Sequence, residues 1–412
     1  MTGSDRNSAP DFARTALAEP WNRLTVAGLA SSAAKSNPQK RIFLRDCPER
    51  EKWDGNLPRE LSFADFYREA EFFAGQLETL GIVAGDRALV LMPNVAEAAI
   101  AIVGCLIAGV TPALAPVEES VDMLRAACER ISAAAIITTG KLEELRPAEV
   151  ARQIAARAIS VRVVAAYGHK LPDGVISLDG WSEQDVDANP NRPPRKQEAE
   201  GLITFSSTPR GVLAHIRSEA QMIADALAVA TRHKLGREQN MVCTMHATGS
   251  AAFAAGLLMP LFLGVTIDLV GPFTAARLRS ALDRAGEKPA LLAPASLLPL
   301  LQESMPREKG LTGLGSLVAV MRPGMELMEA ASEFPFAVVP VFDLHERALV
   351  SPEVLPRGLA DLIGSHTHPM EAVLAEGQPY LMISEGDDGV ARAFGFAASD
   401  VLARAGAVEE AA

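Results

Sequence analysis

The stretch Leu61–Pro116, LSFADFYREAEFFAGQLETLGIVAGDRALVLMPNVAEAAIAIVGCLIAGVTPALAP, decides how the chain folds. Ser62 stands where a helix N-cap belongs, because a serine hydroxyl accepts the unpaired N–H groups of a first turn. Behind it Phe63, Phe66, Ala70, Phe73 and Leu77 keep the spacing that lines one helix face with apolar side chains. Gly81 and Gly85-Asp86 then turn the chain into Arg87–Met92, an apolar run short enough for a buried strand. Pro93-Asn94 breaks that strand before a helix over Ala96–Ala108, and Val110–Leu114 reads as strand again. Strands alternating with helices predict a parallel α/β sheet.

Working outward, Thr25–Ser36 has a helical pattern, Arg41–Arg45 reads as a short strand, and residues 1–22 form a loose lead-in. Towards the C-terminus, Ile136–Thr139 and Val161–Tyr167 supply further strands. Ser182–Ala199 is hydrophilic and carries Asn189-Pro-Asn-Arg-Pro-Pro, the composition of a surface linker. After it, Leu202–Phe205 reads as a strand, Ser206, Ser207 and Thr208 as a hydroxyl-rich turn leading to Pro209-Arg210-Gly211, and a helix begins near Ser218. Backbone N–H groups and hydroxyls in such a turn can point at phosphate oxygens while a cation supplies charge. The same residues also make an ordinary turn, and on their own they leave both readings open.

Composition narrows the class. A chain of 412 residues predicts two or three domains or subdomains, and its 49% hydrophobic content can fill their cores. A net charge of -12 argues against a nucleic-acid or anionic-membrane partner. Cys47, Cys105, Cys128 and Cys243 lie far apart, as expected of buried reduced thiols in a cytoplasmic protein. Met1–Arg14 has no apolar signal core, so the cytoplasm is the expected location. Ala98–Pro116 and Ala251–Ile267 are apolar but interrupted by glycine and proline, and each predicts a buried helix turning into a strand rather than a membrane span. His366 and His368 have no third ligand nearby, which predicts no zinc site.

Leu61–Pro116 resembles the opening of an acyl-CoA synthetase: a helix, a Leu-Gly…Gly-Asp-Arg turn, a Pro-Asn break, and a helix ending near Gly-Val-x-Pro. Phe205–Gly211 resembles the phosphate loop of the adenylate-forming superfamily, roughly Thr-Ser-Gly-Thr-Thr-Gly-x-Pro-Lys-Gly. Here the loop is shorter, lacks the glycines between the hydroxyls, and carries Arg in place of Lys. The chain is identified as a member of that superfamily, corresponding to its N-terminal domain, with degenerate motifs. The resemblance implies an α/β fold of two stacked subdomains, residues 1–182 and 200–348 joined by a linker over 183–199. A small β-rich remnant follows at 349–412, and the mobile C-terminal domain with its lysine is expected to be missing.

The resemblance also assigns residues. Ser206, Ser207, Thr208 and Gly211 would bind nucleotide, with Arg210 as the catalytic cation. Met241–Gly264 is similar to the family segment whose strand ends at a histidine beside the acyl pocket, which nominates His246. Gly315–Leu327 resembles the strand and turn bordering the adenine, and retains Gly324. Val338–Ala348 stands where the family has Tyr-Gly-x-Thr-Glu, so Phe342 would pack on adenine and Glu346 would be the catalytic carboxylate that helps hold Mg²⁺. Asp343 and His345 replace the family's Gly and Thr there. Phe394–Asp400 is similar to a motif whose aspartate binds the ribose hydroxyls, nominating Asp400.

The implied function is binding of a carboxylic acid, a nucleotide or an acyl-adenylate, with impaired or no ligase activity. Loss of positioned glycines and a cation removes the charge neutralisation on which adenylyl transfer depends. The alternative is a working ATP-dependent acid–thiol ligase, joining acids to CoA or a carrier with a C-terminal domain supplied in trans. A second alternative is a non-catalytic partner subunit. ATP or AMP with Mg²⁺, and CoA if the protein is active, are the implied cofactors. A small acid or its adenylate, a related ligase subunit and a carrier protein are the implied partners, with no nucleic acid and no membrane span.

Overall fold

The computed structural model describes residues 24–37, 39–182, 184–186, 200–208, 211–233, 240–304, 309–321, 334–344, 346, 349–352, 382–385, 391–394 and 400–401. Among these, two eight-stranded sheets form the frame. Across the first, the strands run Asp400–Val401, Gly211–Ser218, Glu200–Thr208, Thr111–Leu114, Arg87–Leu91, Ala135–Thr139, Val163–Tyr167 and Ile176–Ser177. Pairing is parallel from Glu200–Thr208 onward and antiparallel at the other edge. Across the second they run Leu349–Val350, Ala337–Asp343, Ser316–Met321, Ala290–Pro294, Met241–Cys243, Ile267–Leu269, Ile42–Arg45 and Glu60–Ser62. That sheet is parallel except at its two edge pairs. The expected parallel α/β sheet is therefore present twice, and the two interleave along the chain. Met382–Glu385 and Ala391–Phe394 form a separate hairpin.

The helices follow from their residues. Ser62 accepts the Asp65 N–H and starts the helix Phe63–Thr79, as its position in the sequence predicts. Its apolar face lies against Ala96–Ala108, a helix buried on nearly every side because it has almost no polar residue to turn outward. Gly104 allows the close approach: a Cβ there would lie 2.6 Å from the Phe73 ring and 2.8 Å from the Ala70 carbonyl. The second apolar run becomes Ser250–Phe253, a π-helical turn over Ala254–Leu258 and Met259–Leu263, closed by Gly264 at φ 67° before the strand Ile267–Leu269. Among the described residues no helix is long and apolar enough to cross a membrane. All four cysteines are free and buried.

One expectation is corrected. Ser206, Ser207 and Thr208 are not a turn but the end of the strand Glu200–Thr208, paired with Leu213, Val212 and Gly211 of the returning strand. Residues 204–208 continue the extended run beyond its apolar part, because cross-strand pairing stabilises polar residues that periodicity alone reads as loop. The following helix begins at Glu219, close to its expected start.

The sheets are joined through a buried guanidinium. Arg50, 1% exposed, donates to Asp46 at 2.6 Å, Asp54 at 2.7 Å and Glu97 at 2.7 Å. Asp46 follows the second-sheet strand Ile42–Arg45, whereas Glu97 lies in the helix Ala96–Ala108 that follows the first-sheet strand Arg87–Leu91. Asp46 also accepts the Ala96 N–H at 2.9 Å, capping that helix where Val95 offers no side-chain oxygen. Burial pushes the Asp46 carboxyl up to about 6 against the pull of Arg50, with Glu97 adding to the rise.

Arg50→Ala leaves three carboxylates without their shared cation and is expected to cost about 3–5 kcal/mol, read as a lowered denaturation midpoint. Between the ordinary 3.8 and about 6, folded Asp46 retains a proton that the unfolded chain releases. Stability from this group therefore falls as pH rises across that window, and Asp46→Asn is expected to abolish this fall in urea titrations at successive pH values.

Candidate functional site

The C-terminal ends of parallel strands from both sheets converge on a cavity of about 550 Å³. Parallel sheets leave room for ligands at this end, where connecting loops diverge. Leu114 and Pro116 line it from the first sheet, together with Phe205, Ser206 and Ser207 at the end of the hairpin strand. Met245 and His246 enter from beyond the strand Met241–Cys243, and Pro294, Val320 and Asp343 from the ends of three further second-sheet strands. Ala251 and Ala252 contribute small apolar surface. Among the described residues, its titratable lining is Glu119, His246, Asp343 and Glu346.

Glu346 is fixed from several directions. Its Oε2 accepts the Ser250 N–H at 2.9 Å, at the start of a helix whose N-cap, Gly249, has no side chain to offer. A carboxylate at this position meets the positive end of the helix dipole. Asp343 Oδ1 accepts the Glu346 N–H at 2.7 Å, holding a left-handed backbone at φ 64° that is uncommon outside glycine. A Cβ on Gly249 would lie 2.7 Å from Glu346 Oε1, so the glycine makes room for the carboxylate. Mg²⁺ commonly takes one or two protein carboxylates and completes its shell with phosphates and water. Glu346 fits that limited role through Oε1, although no group of three metal-binding side chains occurs among the described residues.

His246 is half-buried, with Nδ1 3.9 Å from Glu118 Oε1. Burial lowers its pKa against the opposing pull of Glu118, which favours the neutral ring. A neutral imidazole can donate or accept one hydrogen bond but brings no charge to a bound carboxylate.

The structure thus brings Ser206, Ser207, His246 and Glu346 together around one cavity. Thr208 and Gly211 stand next to them as register partners, with the Thr208 hydroxyl donating to the Gly211 carbonyl at 2.9 Å. Phe342 is not brought to the cavity. Period-two alternation turns Asp343 towards it and Phe342 to the opposite face, where it is 6% exposed in the core beside its register partners Met321 and Val350. The backbone of Asp400 pairs with Ile216 at the first sheet's edge. Arg210 and Gly324 lie outside the described residues, as does His345.

Two residues near the site escape a linear reading. His215 Nε2 lies 2.7 Å from Ser206 Oγ, a diagonal pair that becomes visible only once the hairpin register is known. Asn94, in the Pro-Asn break, donates to the Cys243 carbonyl at 2.9 Å and ties the first sheet to the strand that carries His246. The proline marks that break, but no local pattern identifies its distant partner.

Comparison with known proteins agrees with this frame. The family model described as AMP-binding enzyme matches residues 31–344. The chain is 27% identical over 264 residues to 4-coumarate–CoA ligase-like 2 of Arabidopsis thaliana, covering 58% of this chain and 43% of that protein. It is 25% identical over 283 residues to a salicyl-AMP ligase / salicyl-S-ArCP synthetase of Mycobacterium tuberculosis, covering 67% of this chain and 47% of that one. The matches therefore span less than half the length of either curated relative. Among solved structures, Mycobacterium smegmatis MbtA superposes with a TM-score of 0.68 at 19% identity, over 92% of this chain and 68% of that one. The anthranilate CoA ligase AuaEII, solved with anthranoyl-AMP, superposes with a TM-score of 0.69 at 14% identity, over 90% and 67%. At these identities the superpositions establish the shared fold.

Glu346→Ala removes the cap of the helix starting at Ser250 and is expected to cost about 0.5–2 kcal/mol. Gly249→Ala displaces the same carboxylate, so thermal denaturation of the double variant should show a combined loss smaller than the sum of the two. Simple additivity would mean that the carboxylate does not rest against Gly249.

Proposed function

The chain belongs to the AMP-binding enzyme family, and we propose that its cavity takes a small aryl or acyl carboxylic acid as the acid's adenylate, while holding ATP only weakly. The observation that carries this reading is the hairpin. A loop that wraps a polyphosphate presents several unpaired N–H groups to it. Here Ser206, Ser207 and Thr208 are registered against Leu213, Val212 and Gly211, and only Pro209 and Arg210 lie between the two strands. Proline has no N–H to give. An adenylate carries a single phosphate, in a mixed anhydride with one negative charge, and needs less of this grip than a triphosphate.

The rest of the cavity suits the smaller ligand. A volume of about 550 Å³ falls within the usual range for small-molecule sites. Met245, Ala251 and Ala252 offer apolar contact to an acyl or aryl group, and His246 offers a neutral hydrogen-bonding edge. Ser206 and Ser207 would meet the phosphate, with Arg210 supplying charge. Glu346 would be the protein's contribution to a bound Mg²⁺, which neutralises phosphate charge when present. A salicyl-AMP ligase among the relatives and anthranoyl-AMP in a structural neighbour support the choice of adenylate.

Adenylation itself requires a carboxylate oxygen to attack the α-phosphorus of ATP, expelling pyrophosphate. With a weak grip on the departing phosphates, that step is expected to be slow. Calorimetric titration should show a non-hydrolysable acyl-sulfamoyl adenosine binding at least about tenfold more tightly than ATP with Mg²⁺, a difference of about 1.4 kcal/mol. Equal or reversed affinities would contradict the proposal. Arg210→Ala should weaken the mimic by about 1.5–3 kcal/mol, as expected for loss of a charged hydrogen bond. Brisk ATP–pyrophosphate exchange with any acid would instead identify a fully working ligase.

A further inference from the structure

We propose that Ser206 is an acyl-accepting nucleophile with His215 as its general base. Its natural acyl donor, an acyl-adenylate, rests on the function proposed above; its geometry does not. Ser206 Oγ and His215 Nε2 are 2.7 Å apart, the reach required between a nucleophile and the base that takes its proton. The pair is held by the hairpin. Ser206 registers with Leu213, and His215 registers with Thr204 on the returning strand. Residues two apart share a face, so the serine and the imidazole meet diagonally.

Their surroundings differ in a useful way. His215 is 0% exposed. Ser206 is half-buried and lines the cavity. The hydroxyl therefore stands between the base and a bound ligand. An imidazole buried in this way exchanges protons on the cavity side, where the serine and any water beside it stand. In the tautomer with Nε2 unprotonated, the serine O–H donates to that nitrogen and directs an oxygen lone pair away from it.

The chemistry balances. Ser206 Oγ adds to the carbonyl carbon of an activated acyl group while its proton passes to His215 Nε2. The tetrahedral intermediate collapses by breaking the bond from the carbonyl carbon to the leaving oxygen. From an acyl-adenylate that oxygen departs on AMP as the phosphate dianion, which needs no proton, and His215 releases the acquired proton to water in the cavity. The product is an O-acyl-Ser206 ester. Water attacking that ester gives one proton to His215, which passes a proton back to Ser206 Oγ as the carboxylic acid leaves. The net result is hydrolysis of an activated acid. It is a further activity, distinct from ligation, and would clear adenylates that no thiol collects.

The test uses the full chain with p-nitrophenyl acetate and p-nitrophenyl benzoate, activated esters that do not depend on nucleotide binding. Intact-protein mass spectrometry with peptide mapping should find one acyl group on the peptide carrying Ser206, accompanied by a burst of nitrophenolate. Ser206→Ala, checked for folding by circular dichroism, should lose the adduct. Ser206→Cys should restore it as a thioester cleaved by neutral hydroxylamine. His215→Gln should slow acylation by at least about 100-fold, the lower range for loss of a general base. Absence of an adduct in the wild-type chain, or an adduct that persists in Ser206→Ala, overturns the inference. Acyl-sulfamoyl adenosine binding is measured in parallel. Binding of the mimic without acylation leaves the adenylate reading standing and removes the nucleophile, whereas acylation without binding does the reverse.

Discussion

A single buried guanidinium fixes the relation between the two sheets on whose strand ends the cavity is built. Arg50 bonds to carboxylates on either side of that junction, and none of the four groups has solvent to fall back on. A buried charge without its partners is costly, so the junction has little latitude. The same solution recurs at three helix starts. Asp46 accepts from Ala96, Glu219 from Val26 at 2.7 Å, and Glu346 from Ser250, each carboxylate arriving from distant sequence. Each bond satisfies an N–H that its own helix leaves unpaired and ties two parts of the chain together. The third does so at the edge of the cavity, which makes Glu346 a structural element as well as a candidate ligand group.

How much of this was legible in sequence depended on distance along the chain. Ser62 and the apolar face behind it gave the helix Phe63–Thr79, because cap and periodicity lie within one window. Arg87–Leu91, Ala96–Ala108 and Thr111–Leu114 were equally readable, with Pro93-Asn94 and Gly109 marking their limits. The Asp46, Glu219 and Glu346 caps were not, since nothing local marks a carboxylate as the partner of a helix 50 to 193 residues away. The hairpin eludes a local reading for a related reason. Ser206-Ser-Thr has turn composition, and only its pairing with residues 211–213 makes it strand.

The candidate site divides in the same way. The family resemblance nominates Ser206, Ser207, His246 and Glu346, and the fold gathers them around one cavity. Strand alternation defeated Phe342, whose type fits an adenine platform but whose parity turns it into the core. His215 carries no local signal, because its significance lies wholly in what it touches. The ladder that pairs Ser206, Ser207 and Thr208 with Leu213, Val212 and Gly211 also sets Ser206 beside the buried imidazole of His215.

The proposed function stands or falls on whether the cavity between the strand ends holds an adenylate. A crystal structure of the chain with a non-hydrolysable acyl-sulfamoyl adenosine tests it most directly. The account predicts density for the mimic inside the cavity, its sulfamate beside Ser206 and Ser207 and its acyl group against Met245, Ala251 and Ala252. Density at another surface, or an empty cavity at a saturating concentration of the mimic, would contradict it.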